Sequence, residues 1–177
     1  MDIIGIDPGI TGAVACIHKN GEAAIWDTPF IEIKKGKKKK NDYLPAEMAR
    51  IVEKLDDNLD DDPVHAFIEQ VGAMPNQGVT SMFNFGKGYG MWIGILAALE
   101  IPYTFVTPQA WKKELMQGIS DKNASRLRAQ QLYPSISDQL KLKKHDGRAE
   151  ALLIAEYGRR QLGIGKAISM PQMRRRR

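Results

Sequence analysis

The chain begins with an apolar run, a carboxylate and a glycine-rich turn, and residues 3–12 have the sequence IIGIDPGITG. The run Ile3–Ile6 has the length and β-branched character of a buried strand, and a Pro-Gly pair marks its end. Two further strand patterns follow, Ala13–His18 and Ala23–Thr28, and the hairpin signal Asn20-Gly21 separates them. These patterns predict a three-stranded meander at the start of the chain.

Beyond the meander, helical and strand patterns alternate. Apolar residues at a spacing of three or four predict helices, and short apolar runs between turn signals predict strands. Several strands followed by such alternation are typical of an α/β sandwich with a mixed sheet. We see no internal repeat and no linker, and expect one domain over residues 1–170 with a basic tail over 171–177. The patterns predict helices at Leu44–Leu59, Met82–Leu99, Pro108–Met116, Asp121–Leu132 and Asp146–Leu162, and strands at Val64–Ile68 and Tyr103–Val106.

The composition excludes several classes of protein. The 177 residues are 43% hydrophobic and 27% charged with one cysteine, which excludes disulfide-stapled, collagen-like and wholly disordered chains. No apolar run is long enough to span a bilayer, so we expect no membrane partner. The single cysteine, Cys16, fits a reducing compartment. The N-terminus lacks a basic leader, so we expect a cytoplasmic or nucleoid-associated protein if bacterial or phage, and an organellar one only after removal of a leader.

The positive charge is concentrated in two short runs. Residues 34–40 contain six lysines and residues 174–177 are four arginines. Ten of the 26 basic residues lie in these runs, so the remaining 16 are outnumbered by 21 acidic ones. This distribution is typical of a protein that holds a polyanion at particular places. We expect a mobile lysine loop whose residues contact the phosphates of a nucleic acid, in particular Lys37, Lys38, Lys39 and Lys40.

Carboxylates end two of the predicted apolar strands. Asp7 follows the first strand and Glu69 follows the strand Val64–Ile68. Asp146 and Glu150 are spaced i, i+4, so they share one face of a helix. A charged group beside a core costs several kcal/mol unless it is paired or binds a cation. Four oxygen ligands suit Mg²⁺, with Mn²⁺ as a substitute, and a two-ion site of this kind suits phosphoryl chemistry.

Four stretches of the chain carry a resemblance to a known family: residues 4–12, 67–69, 107–113 and 146–152. Together they resemble the RuvC-type Holliday junction resolvases of the ribonuclease H-like superfamily, in their phage, bacterial and organellar variant. The resemblance implies a five-stranded mixed sheet flanked by α-helices, and a homodimer. It also implies Mg²⁺-dependent, symmetric nicking of two like strands at a four-way DNA junction, with two ions per active site. It assigns Asp7, Glu69, Asp146 and Glu150 as catalytic metal ligands, although the last position is more usually Asp in the family.

Further residues are candidates for contacts with DNA or with a second copy of the chain. Lys143 and Lys144 lead into the acidic helix, and Lys122 and Arg126 share a helix face, so these four are candidate phosphate contacts. In the segment after Glu69, we expect Met74 to act as an apolar wedge and Asn76 or Gln77 to contact base edges. His145 is a weak candidate for a role in proton transfer. We expect the dimer contact on the helix Met82–Leu99.

Three alternatives remain open from the sequence. A related nuclease could act on another nucleic-acid structure, such as an RNA–DNA hybrid. A catalytically weak junction-binding protein would need only the basic loop and tail, but it would leave the four acids without partners. The turn at residues 7–12 also resembles the first phosphate loop of the actin and sugar-kinase superfamily, although that architecture needs two such domains. A branch-migration partner is unknown.

Overall fold

A five-stranded mixed sheet forms the centre of the protein, and helices pack on both of its faces. The computed structural model describes residues 1–36, 38–57, 63–72, 78–117 and 123–164. The strands are β1 (Asp2–Asp7), β2 (Ala13–Ile17), β3 (Ala23–Asp27), β4 (Phe30–Lys35), β5 (Lys38–Tyr43), β6 (Val64–Glu69) and β7 (Tyr103–Val106). The helices are α1 (Pro45–Asp57), α2 (Val79–Ala98), α3 (Pro108–Leu115), α4 (Ala124–Leu132) and α5 (Asp146–Gln161).

The central strand of the sheet is β1. The order is β3-β2-β1-β6-β7, with the first three strands antiparallel and with β6 and β7 parallel to β1. Parallel neighbours end at the same edge of a sheet, so the last residues of β1 and β6 lie side by side. The predicted fold class, a five-stranded mixed sheet flanked by helices, is confirmed.

Alternation along β1 divides the core into two layers. Ile3 packs against the α5 layer, whereas Ile4 and Ile6 pack against α1 and α2. Helix α5 lies directly on β1, because Gly5 has no side chain: a Cβ there would be 2.1 Å from the carbonyl oxygen of Ala151. This close approach places the first turns of α5 beside the carboxyl end of β1.

The lysine-rich segment forms a hairpin, so the expectation of a mobile loop is wrong. Strands β4 and β5 pair from Phe30 with Tyr43 to Lys35 with Lys38. Gly36 has φ +62° in the turn, a conformation that glycine adopts at little cost. Cross-strand pairing with Glu32, whose carboxylate lies 3.0 Å from Lys39 Nζ, offsets part of the repulsion between the lysines.

The other differences are at the ends of helices. Helix α2 begins at Val79, earlier than the predicted Met82, and two 3-10 turns at Pro134–Leu140 and Lys143–His145 were not predicted. No helix in the described part of the chain is long and apolar enough to cross a membrane. The proposed tail at 171–177 lies outside the described residues.

Candidate active site

Two of the predicted acids lie side by side at one edge of the sheet. Ile6 of β1 pairs with Ile68 of β6 in parallel register, so the next residues, Asp7 and Glu69, are neighbours. Helix α5 brings the third acid, Glu150, to the same place. The first turn of α5 lies against the turn after β1 because residue 147 is a glycine. A Cβ at Gly147 would be 2.3 Å from the carbonyl oxygen of Thr11.

Burial and mutual repulsion change the acidity of these groups. Burial raises the pKa of Asp7 to about 7, and the charges of Glu150 and Glu69 add to the rise. The Gly9 N–H, which donates to Asp7 Oδ1 at 3.2 Å, opposes that rise. Burial also raises the pKa of Glu69, although the indole N–H of Trp111 donates to Glu69 Oε1 at 2.9 Å. The site therefore holds more negative charge than its surroundings neutralise.

One lysine supplies positive charge to the three acids. Lys112 Nζ lies 3.6 Å from Glu150 Oε1 and 4.9 Å from the centre of the Trp111 ring. Its charge lowers the pKa of both Asp7 and Glu69. One ammonium against three carboxylates leaves a net negative site, and such a site attracts a divalent cation.

The fourth predicted acid is placed differently. The Asp146 side chain is 52% exposed and its Oδ1 lies 2.7 Å from Arg126 Nε, in an ion pair. Among the described residues, neither the four acids nor any three of them form a group whose ligand atoms all lie within 4.8 Å of one another. The structure therefore places Glu150 near enough to Asp7 and Glu69 for its charge to raise the pKa of both, and it pairs Asp146 with Arg126.

Arg126 is a buried structural residue in this arrangement, which corrects its expected role as an exposed phosphate contact. Its side chain is only 10% exposed, and its Nη1 donates to the carbonyl oxygen of Lys141 at 2.9 Å. The same guanidinium contacts the Asn123 side chain. Arg126 thus ties α4 to the start of α5 and orients Asp146.

The remaining basic and polar candidates divide into exposed, buried and undescribed residues. Lys143 and Lys144 are exposed on the turn before α5, where they remain candidate phosphate contacts. His145 is buried, its Nδ1 accepts from the Leu142 N–H at 3.3 Å, and burial lowers its pKa, so its contacts are those of a capping residue. The following candidates lie outside the described residues: Lys37, Met74, Asn76, Gln77, Lys122 and the side chain of Lys38.

A cleft of about 590 Å³ opens between the β4–β5 hairpin and the start of α2. It is adjacent to the acids, since a Cβ at Gly9 would be 3.7 Å from the Phe85 ring. Burial raises the pKa of Tyr43 to about 12, and the charge of Asp7 adds to that rise. An ion pair between Lys87 and Asp42, 2.5 Å long, fixes the hairpin to α2. The cleft is lined by Ile10, Lys39, Lys40, Asn41, Tyr43, Thr80, Ser81, Asn84 and Phe85.

Sequence reasoning missed four residues that shape the site. Trp111 and Lys112 are within the stretch 107–113 that carries the family resemblance, so their presence there was a usable signal. Ser125, which donates to Glu150 Oε1 at 3.4 Å, and Tyr43 have no signal in the sequence, because tertiary packing alone brings them to the site.

The sequence and the structure of the chain were compared with those of known proteins. No protein-family model matches the chain. Over 95 residues it is 30% identical to the "Holliday junction resolvase MOC1, chloroplastic" of Chlamydomonas reinhardtii, a match that covers 53% of this chain and 11% of the algal protein. The chain thus spans only a small part of that relative's length.

Two solved structures of Thermus thermophilus RuvC match nearly the whole chain. The first has a TM-score of 0.53 at 16% identity, and covers 93% of this chain and 98% of its own. The second, in complex with a Holliday junction substrate, has a TM-score of 0.56 at 15% identity, and covers 93% and 97%. At this level of identity the likeness establishes the fold, and the predicted resemblance is confirmed to that extent.

Proposed function

We propose that this chain, which has the fold of RuvC, is a structure-selective endodeoxyribonuclease that resolves four-way DNA junctions by symmetric, Mg²⁺-dependent hydrolysis. The observation that carries the proposal is the meeting of Asp7, Glu69 and Glu150, from three separate elements, beside a lysine-lined cleft. The algal relative is named a Holliday junction resolvase, and one RuvC structure holds a junction. These names support the same substrate for this chain.

The acids fit a hard divalent cation. The raised pKa of Asp7, about 7, arises from burial and from two neighbouring carboxylates, both of which a cation would offset. Carboxylate oxygens are the ligands that Mg²⁺ and Mn²⁺ prefer. We propose that Asp7, Glu69 and Glu150 hold the metal, with two ions per site. The ion pair between Asp146 Oδ1 and Arg126 competes with metal binding by that oxygen.

Bound cations supply Lewis-acid charge that polarises the scissile phosphate and lowers the pKa of water. The chain's own residues position the ligands for this chemistry. The Gly9 N–H and the Trp111 indole hold one oxygen each of Asp7 and Glu69 in fixed directions. Lys112 balances part of the negative charge, which reduces the repulsion that an approaching phosphate meets.

The hairpin and the turn before α5 supply the contacts to DNA in this proposal. Lys39 and Lys40 line the cleft, and Lys143 and Lys144 are exposed at the start of the acidic helix. Contacts between lysine and phosphate give affinity without sequence information. Base choice then depends on other groups, of which Asn84 is a described candidate within the cleft.

Symmetric nicking needs two active sites, so we propose that the chain acts as a homodimer. Two large apolar side chains near the start of α2, Val79 and Phe83, are 82% and 72% exposed, which supports a contact on this helix. The algal relative is described as chloroplastic. An organellar location for this chain remains a proposal beside the bacterial or phage one.

A nicking assay on a panel of substrates tests the proposed substrate. The panel contains a labelled four-way junction, linear duplex of the same sequence and an RNA–DNA hybrid, each with Mg²⁺ and with Mn²⁺. We expect paired nicks at symmetry-related positions of the junction alone. Preferential cleavage of the hybrid would instead assign a ribonuclease H-type activity. Tight junction binding without nicks in either metal would assign a binding protein.

A further inference from the structure

Three side chains of different metal-binding chemistry meet at the end of the sheet opposite the candidate active site. The ligating atoms of Asp2, Cys16 and His18 all lie within 4.8 Å of one another. Cys16 Sγ is 3.8 Å from His18 Nδ1, and the same nitrogen contacts Asp2 Oδ2. Asp7 lies five residues farther along β1, about 16 Å away at 3.3 Å per residue, so this cluster is separate from the acidic site.

Strand register builds this cluster. Ile4 of β1 pairs with Cys16 of β2, and Ile3 pairs with Ile17, so the next antiparallel positions are Asp2 and His18. Cys16 and His18 are two residues apart on an extended segment and therefore project to the same face of the sheet. Asp2 projects to that face too, since it is two residues from Ile4. The backbone pairing alone thus brings three ligands together.

The cluster combines a buried interior with one accessible side. The Asp2 side chain is 3% exposed and that of His18 is 29% exposed, while Cys16 is fully buried. The Lys19 N–H donates to Asp2 Oδ1 at 2.9 Å and fixes the carboxylate. Oxygen Oδ2 of that carboxylate, the imidazole nitrogen and the sulfur face one another, and an ion could enter past His18.

Ligand chemistry selects the class of metal. Burial and the charge of Asp2 raise the pKa of Cys16 to about 12, so its sulfur becomes a thiolate only when a metal ion replaces the proton. A thiolate, an imidazole and a carboxylate together suit Zn²⁺ and similar transition-metal ions, whereas Mg²⁺ prefers oxygen ligands alone. We propose that Asp2, Cys16 and His18 form a binding site for one zinc-type divalent ion, with water as a fourth ligand. The bound ion joins the first residue of β1 to β2, and it stabilises the fold because the unfolded chain lacks the site. This site is independent of the proposed nuclease activity.

Cobalt substitution tests the site directly, because Cys16 is the only cysteine of the chain. Full-length protein is stripped of metal with a chelator and titrated with Co²⁺, and the thiolate-to-cobalt charge-transfer absorption is recorded. We expect this absorption to saturate at one equivalent, to disappear when Zn²⁺ is added and to be absent from Cys16→Ser. His18→Gln, at a partly exposed position, should weaken Co²⁺ binding by more than about 100-fold.

Two controls keep the result independent of folding and of the acidic site. Circular dichroism shows whether each variant is folded, and Asp7→Asn should develop the same thiolate-to-cobalt absorption as the wild-type chain, because the acidic site contains no sulfur ligand. Thermal unfolding of the wild-type chain should shift upward with one equivalent of Zn²⁺, and His18→Gln should lose that shift. Folded wild-type protein without thiolate-to-cobalt absorption overturns the proposal, as does unchanged Co²⁺ affinity in His18→Gln. In either case the cluster is an Asp–His ion pair beside a thiol.

Discussion

Replacement of Asp7 by Asn should stabilise the metal-free protein while it removes a ligand from the candidate site. The carboxyl of Asp7 has a pKa of about 7 in the folded chain, against an ordinary value of 3.8, because burial and the neighbouring acids disfavour its charge. Between these two values the folded chain retains a proton that the unfolded chain releases. The free energy of unfolding therefore falls as the pH rises through this window.

The size of the effect follows from the shift in pKa. Each unit of pKa corresponds to about 1.4 kcal/mol. The Asp7 carboxyl therefore destabilises the folded chain by about 4 kcal/mol at pH 8, where it is ionised, and by about 2 kcal/mol at pH 5, where folding requires it to take up a proton. Asparagine has nearly the same shape, carries no charge and keeps an oxygen that accepts from the Gly9 N–H. We therefore expect Asp7→Asn to raise the free energy of unfolding by up to these amounts.

Urea unfolding in the presence of a chelator, at pH 5 and pH 8, measures the gain. Addition of Mg²⁺ should stabilise the wild-type chain at pH 8 and stabilise Asp7→Asn much less. Asp27→Asn is the matched control with the opposite sign, because a hydrogen bond from Arg148 lowers the pKa of Asp27. If Asp7→Asn is no more stable at pH 8, or gains as much at pH 5, the claim of a strained buried carboxylate is refuted.

Three further changes test other parts of the site. Trp111→Phe removes the 2.9 Å hydrogen bond from the indole N–H to Glu69. Thermal unfolding should show that the free energy of unfolding falls by about 1.5–3 kcal/mol, and the nicking rate should fall as well. Gly147→Ala places a Cβ 2.3 Å from the carbonyl oxygen of Thr11, so urea unfolding should show that the free energy of unfolding falls by about 1–3 kcal/mol. Gly90→Ala is the control, because its Cβ meets nothing within 4 Å, and it should not lower the free energy of unfolding. Replacement of Lys39 and Lys40 by Gln should weaken junction binding and reduce its salt dependence by about one unit of slope per lost phosphate contact, as measured by fluorescence anisotropy. An unchanged salt slope would remove the hairpin from the DNA interface.

The sheet could be predicted from the sequence because its strands are marked by local signals. Apolar runs, the Asn20-Gly21 turn and the carboxylates after Ile6 and Ile68 all act over a few residues, and each lies where it was expected. The β4–β5 hairpin could not be predicted, because lysine has a low strand propensity. A run of identical residues also gives no signal for the pairing register of the two strands, which Glu32 and Gly36 help to fix.

The candidate site was only partly predictable for a related reason. Strand ends and helical spacing identify Asp7, Glu69 and Glu150, but the i, i+4 pattern does not show which acid turns toward the sheet. Asp146 shares a helix face with Glu150, yet it pairs with Arg126 from α4, a contact between residues 20 apart in the chain. Long-range packing of this kind also brings Ser125 to Glu150. No local pattern contains such information.

The most direct test of the central claim is single-turnover nicking of a four-way junction by wild-type protein and by Asp7→Asn, with binding to the same junction measured in parallel. The account predicts that Asp7→Asn binds the junction with nearly wild-type affinity in Mg²⁺ and loses nicking by at least about 100-fold. Nicking by Asp7→Asn at the wild-type rate would contradict the account, because the acids that meet at the end of β1 would then not be the catalytic centre.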